Sequence, residues 1–540
     1  MGAKLDCVVI GYNETPFGQY EGLLRQYGED SEAYRDLKFS FVDLGGEKLT
    51  YPELMNHAVL RARPDDGRLS FRSGEIPNLA AAYLTNFLRR RGIAARYVNL
   101  FQDEKDKLAD YLADDPLCVA ITTTFYVLNF PVNEMVEFIR RHNPRVRVVV
   151  GGPLVANHLR NYAGHELDAA LADMGADAYV FDSQGESTLA RIVACLRDGG
   201  DLAAVPNLIV ARNGGFIATP HAPENNSLDE NDIDWRTFAD EGPGPTIQAR
   251  TARSCAFSCS FCNYPARAGR LTLARLGTIE RELDSMRALE ARNVVFIDDT
   301  FNVPLPRFKE ICRLMISRGY GFDWFSYFRC SNSDEEAIDL MAESGCKGVF
   351  LGIESGSPGI LKNMAKAATL EQYERGIRRL RERGILTFGS YIIGFPGESE
   401  ETVAETTDFI RRTACDYYRA QVWYCERGTP IDQQRDKYGI EGDGFVWSHA
   451  SMDSMQAMDH IERMFLSIDE STWLPQWSFD FWIIPYVLGK GVSLDSFKRF
   501  MTAANRLLSL GIASVPAEQR EALRREHLEE ITRVAAGWPA

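Results

Sequence analysis

Two stretches of the chain alternate apolar, β-branched runs with amphipathic segments, and this pattern limits the fold more than any other feature. Leu117–Phe125 (LCVAITTTF) and Val146–Pro153 (VRVVVGGP) are continuous apolar runs that end in small or polar residues, as strands covered on both faces must be. An amphipathic helix is expected between them at Val132–Arg141. Asn78–Gly92 has helical spacing, and Asp177–Ser187 repeats the strand-then-helix pattern. With Asp6–Gly11 as first strand and 12–77 as a long insertion, residues 1–225 predict a doubly wound, Rossmann-like α/β domain with a parallel sheet. A polar stretch at 226–245 reads as a linker. Alternation then resumes with different spacing. Strands are expected at Ile247–Arg253, Asn293–Asp298, Trp324–Arg329, Gly348–Glu354, Thr387–Gly394 and Arg419–Tyr424. Six strands with crossover helices predict a (β/α)6 partial TIM barrel over 246–430. Residues 431–540 are mixed and aromatic-rich, and a mainly helical C-terminal region is expected there.

Small and polar residues crowd the carboxyl ends of the first domain's strands, at Thr122–Thr124, Gly151–Gly152 and Ser183–Ser187. Open α/β sheets bind ligands at that edge. No G-x-G-x-x-G follows a strand, so a dinucleotide is not the favoured ligand. The formal net charge of −16 argues against a general nucleic-acid binder. The most apolar late segment, Phe479–Leu488, is too short for a membrane span. MGAKLDCVVIGY has neither the apolar core of a secretory signal nor a myristoylation pattern, so the expected location is the cytoplasm and no membrane partner is expected.

Of the 11 cysteines, eight are scattered singly and read as small buried apolar residues. Cys255, Cys259 and Cys262 cluster in RSCAFSCSFCNYP, spaced C-x3-C-x2-C, just after the first predicted barrel strand. This does not match the paired C-x2-C modules of structural zinc, and no fourth Cys or His lies nearby. Three thiolates can hold a [4Fe–4S] cluster and leave one iron open to a substrate or cofactor.

With an aromatic residue, Phe261, before the last cysteine, this signature resembles that of the radical S-adenosylmethionine (SAM) enzymes, whose open iron is chelated by the methionine moiety of SAM. GIESGS (Gly352–Ser357), SYIIGFPGES (Ser390–Ser399) and FIDDTFN (Phe296–Asn302) resemble the family's strand-end segments. The resemblance implies SAM contacts at Asp298, Asp299, Glu354, Ser355, Ile393 and Gly394, with Cys255, Cys259 and Cys262 as metal ligands. A doubly wound domain ahead of such a barrel resembles the cobalamin-binding domain of B12-dependent radical SAM methyltransferases. That resemblance covers roughly residues 60–425. It implies cobalamin contacts at Thr122, Thr123, Thr124, Phe125, Gly151, Gly152, Pro153, Ser183, Gln184, Gly185 and Glu186. The D-x-H-x-x-G motif, whose histidine ligates cobalt in other B12 proteins, is absent, and the loop Phe71–Leu79 is expected to meet the lower cobalt face. Arg72, in that loop, and Tyr327 are the catalytic candidates.

The long match ARTARSCAFSCSFCNYP and the later YCERGTPI look like the subgroup of phosphinate P-methylases and tryptophan 2-C-methyltransferases. The function implied is transfer of a methyl group from SAM, by way of cobalamin, to an unactivated carbon such as indole C2 of tryptophan, or to a phosphinate phosphorus. The acceptor is a small molecule, and an external flavodoxin- or ferredoxin-type electron donor is implied. Arg427 is a candidate for holding a phosphinate or carboxylate. Trp447, Trp473, Trp477, Phe479, Phe481 and Trp482 could stack an indole, although core packing is the commoner use of such residues. The alternatives are a cobalamin-binding radical SAM enzyme that rearranges or cyclises its substrate without methylating it, and a non-catalytic carrier. A carrier is disfavoured because it would normally saturate its cluster with protein ligands.

Overall fold

The structure, a computed structural model, describes residues 4–64, 69–475 and 482–539. It comprises two compact units. The first contains Met1–Pro16, Gly74–Pro243 and Arg267–Leu289. Its seven-stranded sheet runs β2-β1-β3-β4-β5-β6-β7, with β1 Cys7–Tyr12, β2 Ala95–Leu100, β3 Cys118–Thr122, β4 Arg147–Gly151, β5 Ala178–Val180, β6 Leu208–Arg212 and β7 Gly215–Ala218. The pairings among β1 to β5 are parallel, as the buried β-branched runs predict, while β6 and β7 add an antiparallel edge. All five residues of β3 are buried. Helix Leu79–Arg89 starts where expected because the Asn78 side chain caps it, accepting from Ala81 N–H at 2.9 Å.

The expected linker at 226–245 is instead folded into this unit as far as Pro243. Trp235 and Phe238 are fully buried in a 3-10 turn at Trp235–Glu241. Arg89 pairs with Glu241 at 2.6 Å and stacks on Phe238, while Trp235 N–H donates to Ser285 Oγ at 3.1 Å. Polar composition concealed two aromatic anchors. Ser285 lies in the helix Leu276–Ala288, expected to be the first barrel crossover, which clusters here rather than with the barrel strands.

The second unit contains Phe17–Ser73, Gly244–Ala266 and Glu290–Ala540. Its sheet is wholly parallel and runs β8-β9-β10-β11-β12-β13-β14: β8 Thr246–Ala249, β9 Asn293–Phe296, β10 Asp323–Tyr327, β11 Cys346–Glu354, β12 Leu386–Ile393, β13 Tyr417–Val422 and β14 Thr472–Trp473. The six expected barrel strands are present, with short β14 added from the C-terminal region. That region is otherwise mainly helical, with long helices at Ser454–Ser467, Leu494–Ile512 and Ala517–Ala536.

The insertion also departs from expectation, since 17–73 packs with this unit and not with the domain it interrupts. Arg35 reaches Asp459 at 2.6 Å and Glu462 at 2.8 Å, and Tyr51 Oη donates to Asn505 at 2.7 Å. These partners lie more than 400 positions away, beyond the reach of any local pattern.

Candidate active site

The cysteine loop begins where β8 ends, and the backbone is strained there. Ser254, a non-glycine residue, has φ +72° immediately before Cys255. Asp298 fastens the base of the loop. Its buried carboxylate accepts from the N–H groups of Thr251 and Ala252 at 2.7 and 2.9 Å and from the Thr251 hydroxyl. Burial pushes its pKa up, and these bonds oppose the rise. Asp298 therefore organises the loop instead of presenting itself to a ligand, while its neighbour Asp299 is exposed.

The far side of the loop is held by two other segments. Ser260 donates its N–H to Met364 O at 2.9 Å and its hydroxyl to Asn363 O at 2.7 Å. Its carbonyl accepts from Ile431 N–H at 2.8 Å. The Asn263 amide donates to Arg427 O at 3.2 Å. Cys259 is buried, whereas Cys255 and Cys262 are half-buried. The Cys255 thiol lies 3.8 Å from Thr300 Oγ1, and Cys262 Sγ accepts from Tyr264 N–H at 3.4 Å. Burial raises the Cys262 thiol pKa, opposed by that N–H and assisted by Cys259, Asp299 and Cys255.

The donor set fits a cubane: three neighbouring thiols on a pinned loop without a fourth cysteine. Among the described residues no three His, Cys, Asp or Glu side chains surround a single-ion position. A cubane does not need that geometry, because each thiolate binds a different iron. Of the other eight cysteines, seven are buried and Cys195 is half-buried, as expected for apolar packing residues.

At the end of β11, Glu354 is a second strained non-glycine residue, with φ +71°. Its carboxylate pairs with the largely buried Lys366 ammonium at 2.9 Å, and Lys366 also lies over the Phe261 ring of the cysteine loop. Ser355 is fully buried, its hydroxyl 3.2 Å from Thr406 Oγ1 and accepting from Ser357 N–H at 3.1 Å. The structure thus uses Ser355 to seat the helix Glu400–Thr413.

At the end of β12, Ile393 is fully buried and Gly394 has φ +86°. A Cβ on Gly394 would lie 2.3 Å from Trp447, so only glycine fits under that indole. The Gly394 N–H donates to Glu398, and its carbonyl lies 3.1 Å from His449 Nε2. Burial pushes the Glu398 carboxyl up to about 8, and its second oxygen has no partner among the described residues. Glu398 lay within a quoted motif, but the clamp by Trp447 and His449 had no sequence signal.

Tyr327 and Phe350 are register partners, as are Phe350 and Phe388, so the three share a sheet face with Gly352, and past a register shift the Glu354 carboxylate lies 2.6 Å from where a Cβ on Gly352 would sit. Tyr327 packs edge-to-face against Phe350 at 5.0 Å and Trp482 at 4.9 Å, and Phe350 against Phe388 at 4.9 Å. Trp447 and Trp473 are core residues. Trp477, Phe479 and Phe481 lie outside the described residues. Arg427 is 57% exposed and paired with Asp443, so it is not placed as a buried anion holder.

In the first unit, two of the three threonines after β3 are committed internally. The Thr122 hydroxyl donates to Gly11 O, while Thr123 donates to Gly151 O at 3.0 Å and accepts from Leu154 N–H at 3.2 Å. Thr124 is exposed. Exposed Gly152 has φ +114°, and a Cβ there would meet Thr123 Oγ1 at 2.8 Å. Gly151 and Pro153 flank it.

After β5, Gln184 donates to Glu224 O at 2.9 Å and accepts from Asn226 N–H at 2.8 Å. Glu186 is buried against the Asn226 amide, and the N–H groups of Ser187 and Thr188 donate to the Glu224 carboxylate. Gln184 and Glu186 are thus held by the chain's own 224–226 segment, leaving exposed Ser183 and half-buried Gly185 as the accessible part of that turn. The edge presents apolar surface: Phe125 is 65% exposed, Val127 58% and Leu128 45%. A soluble domain rarely leaves such a group uncovered, and a large, partly apolar ligand such as a corrin fits it. Arg72 belongs to the other unit, where it is exposed and donates its N–H to Tyr486 Oη at 2.8 Å.

Comparison with known proteins agrees with both halves of this description. The Radical SAM superfamily model matches residues 250–410, and the B12 binding domain model matches 70–191. An uncharacterized methyltransferase of Pyrococcus horikoshii is 27% identical over 354 residues, covering 63% of this chain and 74% of that protein. The tryptophan 2-C-methyltransferase of Streptomyces laurentii is 24% identical over 403 residues, covering 60% and 66%. The anaerobic magnesium-protoporphyrin IX monomethyl ester cyclase of Rubrivivax gelatinosus is 25% identical over 366 residues, covering 63% and 62%. Among solved structures, the radical SAM methyltransferase TsrM of Kitasatospora setae with cobalamin and a [4Fe–4S] cluster bound aligns with TM-score 0.60 and 20% identity, over 85% of this chain and 97% of that one.

A B12-binding domain joined to a radical SAM barrel defines the class of this protein. The chain carries the domain pairing of the cobalamin-dependent radical SAM methyltransferases to which it is similar, and the cofactors of those two domains are SAM, a [4Fe–4S] cluster and cobalamin.

Proposed function

We propose that the methyl acceptor is a small molecule with a flat aromatic ring, of which the indole C2 of tryptophan is the leading case. The observation that carries this reading is the aromatic wall of Tyr327, Phe350 and Phe388, joined by Trp482, on the sheet face of Gly352, beside which the Glu354 carboxylate lies. Edge-to-face rings at about 5 Å offer the contacts that hold another aromatic ring. A phosphinate acceptor would need a poised cation, and Arg427 is already engaged by Asp443.

When bound, the cluster and SAM supply reductive cleavage, fed by a flavodoxin- or ferredoxin-type donor, and cobalamin supplies a methyl-carrying cobalt. The residues of the chain bind and orient. Cys255, Cys259 and Cys262 hold the cluster. Glu354, with Lys366 as its partner, and the clamped Ile393–Gly394 turn would receive SAM, with Asp298 fixing the base of the cysteine loop. Gly151–Pro153, Ser183, Gly185, Thr124 and Phe125 receive cobalamin. Arg72 would act on bound cobalamin without ligating its cobalt, since a guanidinium has no free lone pair. Tyr327 shapes the acceptor site. We place the enzyme in the cytoplasm; no described helix is long and apolar enough to cross a membrane.

The test is anaerobic reconstitution with cobalamin, followed by incubation with methyl-labelled SAM and either L-tryptophan or a phosphinate. Label in 2-methyltryptophan is the expected result, and label in the phosphinate alone would overturn the aromatic reading. Likeness to the Rubrivivax cyclase keeps one second reading open, in which the product is rearranged or cyclised without gaining a CH2. Product mass separates the two.

A further inference from the structure

Arg329 follows β10, and its main chain is fixed from the FIDDTFN segment. Its N–H donates to Asn302 Oδ1 at 3.0 Å, and its carbonyl accepts from Asn302 Nδ2 at 2.9 Å. The side chain is buried, with the residue 6% exposed. The guanidinium carbon lies 3.6 Å from the centroid of Phe257, the aromatic residue midway between Cys255 and Cys259. Nε donates to Ser331 Oγ at 3.2 Å, and Nη2 is buried with no hydrogen-bond partner among the described residues. Tyr373, whose hydroxyl donates to Gly352 O, lies within the electrostatic reach of Cys330, Glu354, Arg329 and Cys259 together. The cation is therefore set where the cysteine loop meets the end of β11.

Arginine stays charged in proteins, and a buried charge without a counter-ion is strongly unfavourable. Stacking on Phe257 offsets only part of that cost. Glu354, the nearby carboxylate, is already paired with Lys366. Among the described residues no carboxylate pairs with this cation. A cluster on three thiolates is anionic, and one-electron reduction makes it more so. Charge and hydrogen bonding around its sulfurs set its potential.

We propose that Arg329 is the buried countercharge of the cluster, holding the anionic loop together and favouring the reduced state. This rests on the reading of Cys255, Cys259 and Cys262 as cluster ligands. Arg329 does not itself touch the reacting atoms; it acts through the loop and the cluster's field.

The test uses the full chain, reconstituted anaerobically, as wild type, Arg329→Gln and Arg329→Lys, with Cys255→Ala as control. Iron content is measured first, then the midpoint potential of the SAM-free cluster by EPR-monitored titration with dithionite, then SAM affinity. Arg329→Gln is expected to retain iron and shift the reduction equilibrium about tenfold toward the oxidised state, ~59 mV lower for a one-electron couple. Arg329→Lys is expected to recover most of that shift. Failure of Arg329→Gln to load iron while Arg329→Lys loads it also supports the proposal, because charge is then the shared requirement.

An unchanged potential in iron-loaded Arg329→Gln overturns it. So does an unchanged potential with weakened SAM binding, which would assign the cation to the SAM carboxylate. Loss of iron in both variants, with equally lowered melting temperatures of the metal-free proteins, would make Arg329 a packing residue and overturn the proposal as well. If Cys255→Ala binds as much iron as wild type, the cluster reading itself has failed, a result distinct from all of these.

Discussion

The cysteine loop and the ligand edge of the B12-binding domain are built on opposite plans. In the loop, side chains are the functional groups, and neighbouring segments hold the backbone so that the thiols can be presented: Asp298 from one end, Asn363, Met364 and Ile431 from the other. At the B12 edge, the polar side chains are mostly turned inward. Thr122, Thr123, Gln184 and Glu186 bind the protein's own backbone or its 224–226 segment. What remains for a ligand is glycine backbone and the exposed rings and alkyl groups of Phe125, Val127 and Leu128. A metal cluster needs specific donor atoms, whereas a large macrocycle needs room, shape and apolar cover. The first requirement writes itself into residue identity, and the second into geometry.

That contrast is most directly broken at the thiols. Alanine at Cys255, Cys259 or Cys262 is expected to abolish bound iron and methyl transfer, while Cys312→Ala, on the buried face of the helix Leu305–Arg318, should retain both. Iron analysis after reconstitution checks this, and full iron in any of the three loop variants would refute the ligand assignment. The matching experiment at the other edge is Gly152→Leu. It forces a side chain into φ +114° and against Thr123 at 2.8 Å, costing about 1–3 kcal/mol of local strain. Cobalamin occupancy should fall at least about tenfold, as that strain implies, with iron content unchanged. Equal loss of both would show that the two sites are not independently built.

A third test probes the clamped turn after β12. Because burial raises the Glu398 carboxyl to about 8, it is neutral in the folded chain where it would be ionised in the unfolded one. The folded state therefore binds more protons between about pH 4.5 and 8, and this group's contribution to stability is lost as pH rises through that window. The slope limit is about 1.4 kcal/mol per pH unit. Denaturant titrations of metal-free protein at pH 5.5 and 8 should show the loss, and Glu398→Gln should flatten it. An identical pH dependence in both proteins would assign the titration elsewhere.

The smallest expected effect is at Arg72. Arg72→Lys or Arg72→Ala should leave iron and stability within about 0.5 kcal/mol of wild type, as for other exposed positions. Both should move the cob(II)alamin spectrum toward a water-ligated form and slow methyl transfer several-fold. Unchanged cobalt coordination and turnover would remove Arg72 from the lower face.

Much of the architecture was legible in local pattern. The buried runs at Leu117–Phe125 and Val146–Pro153 could only be strands of a covered sheet, and the six barrel strands fell within a few residues of their expected positions. The cysteine triad was legible because ligand chemistry depends on residue type and close spacing. By contrast, Ser355 and Asp298 looked like ligand contacts by position in a motif, yet their oxygens seat a helix and a loop.

The sequence by itself determined the parallel core of both sheets, the two domain classes and the clustering of three thiols on one loop, because hydrophobic period and donor spacing are properties of neighbours along the chain. Tertiary structure alone decided that residues 17–73 join the barrel unit, that the polar 226–245 stretch is packed by Trp235 and Phe238, and that Trp447 and His449 lock the Gly394 turn. It also decided that Arg329 is a buried cation beside Phe257 with no anion paired to it among the described residues. In each of these cases the decisive contact joins residues far apart in sequence, so burial and hydrogen-bond satisfaction over the folded chain chose the partner and no local periodicity could announce it.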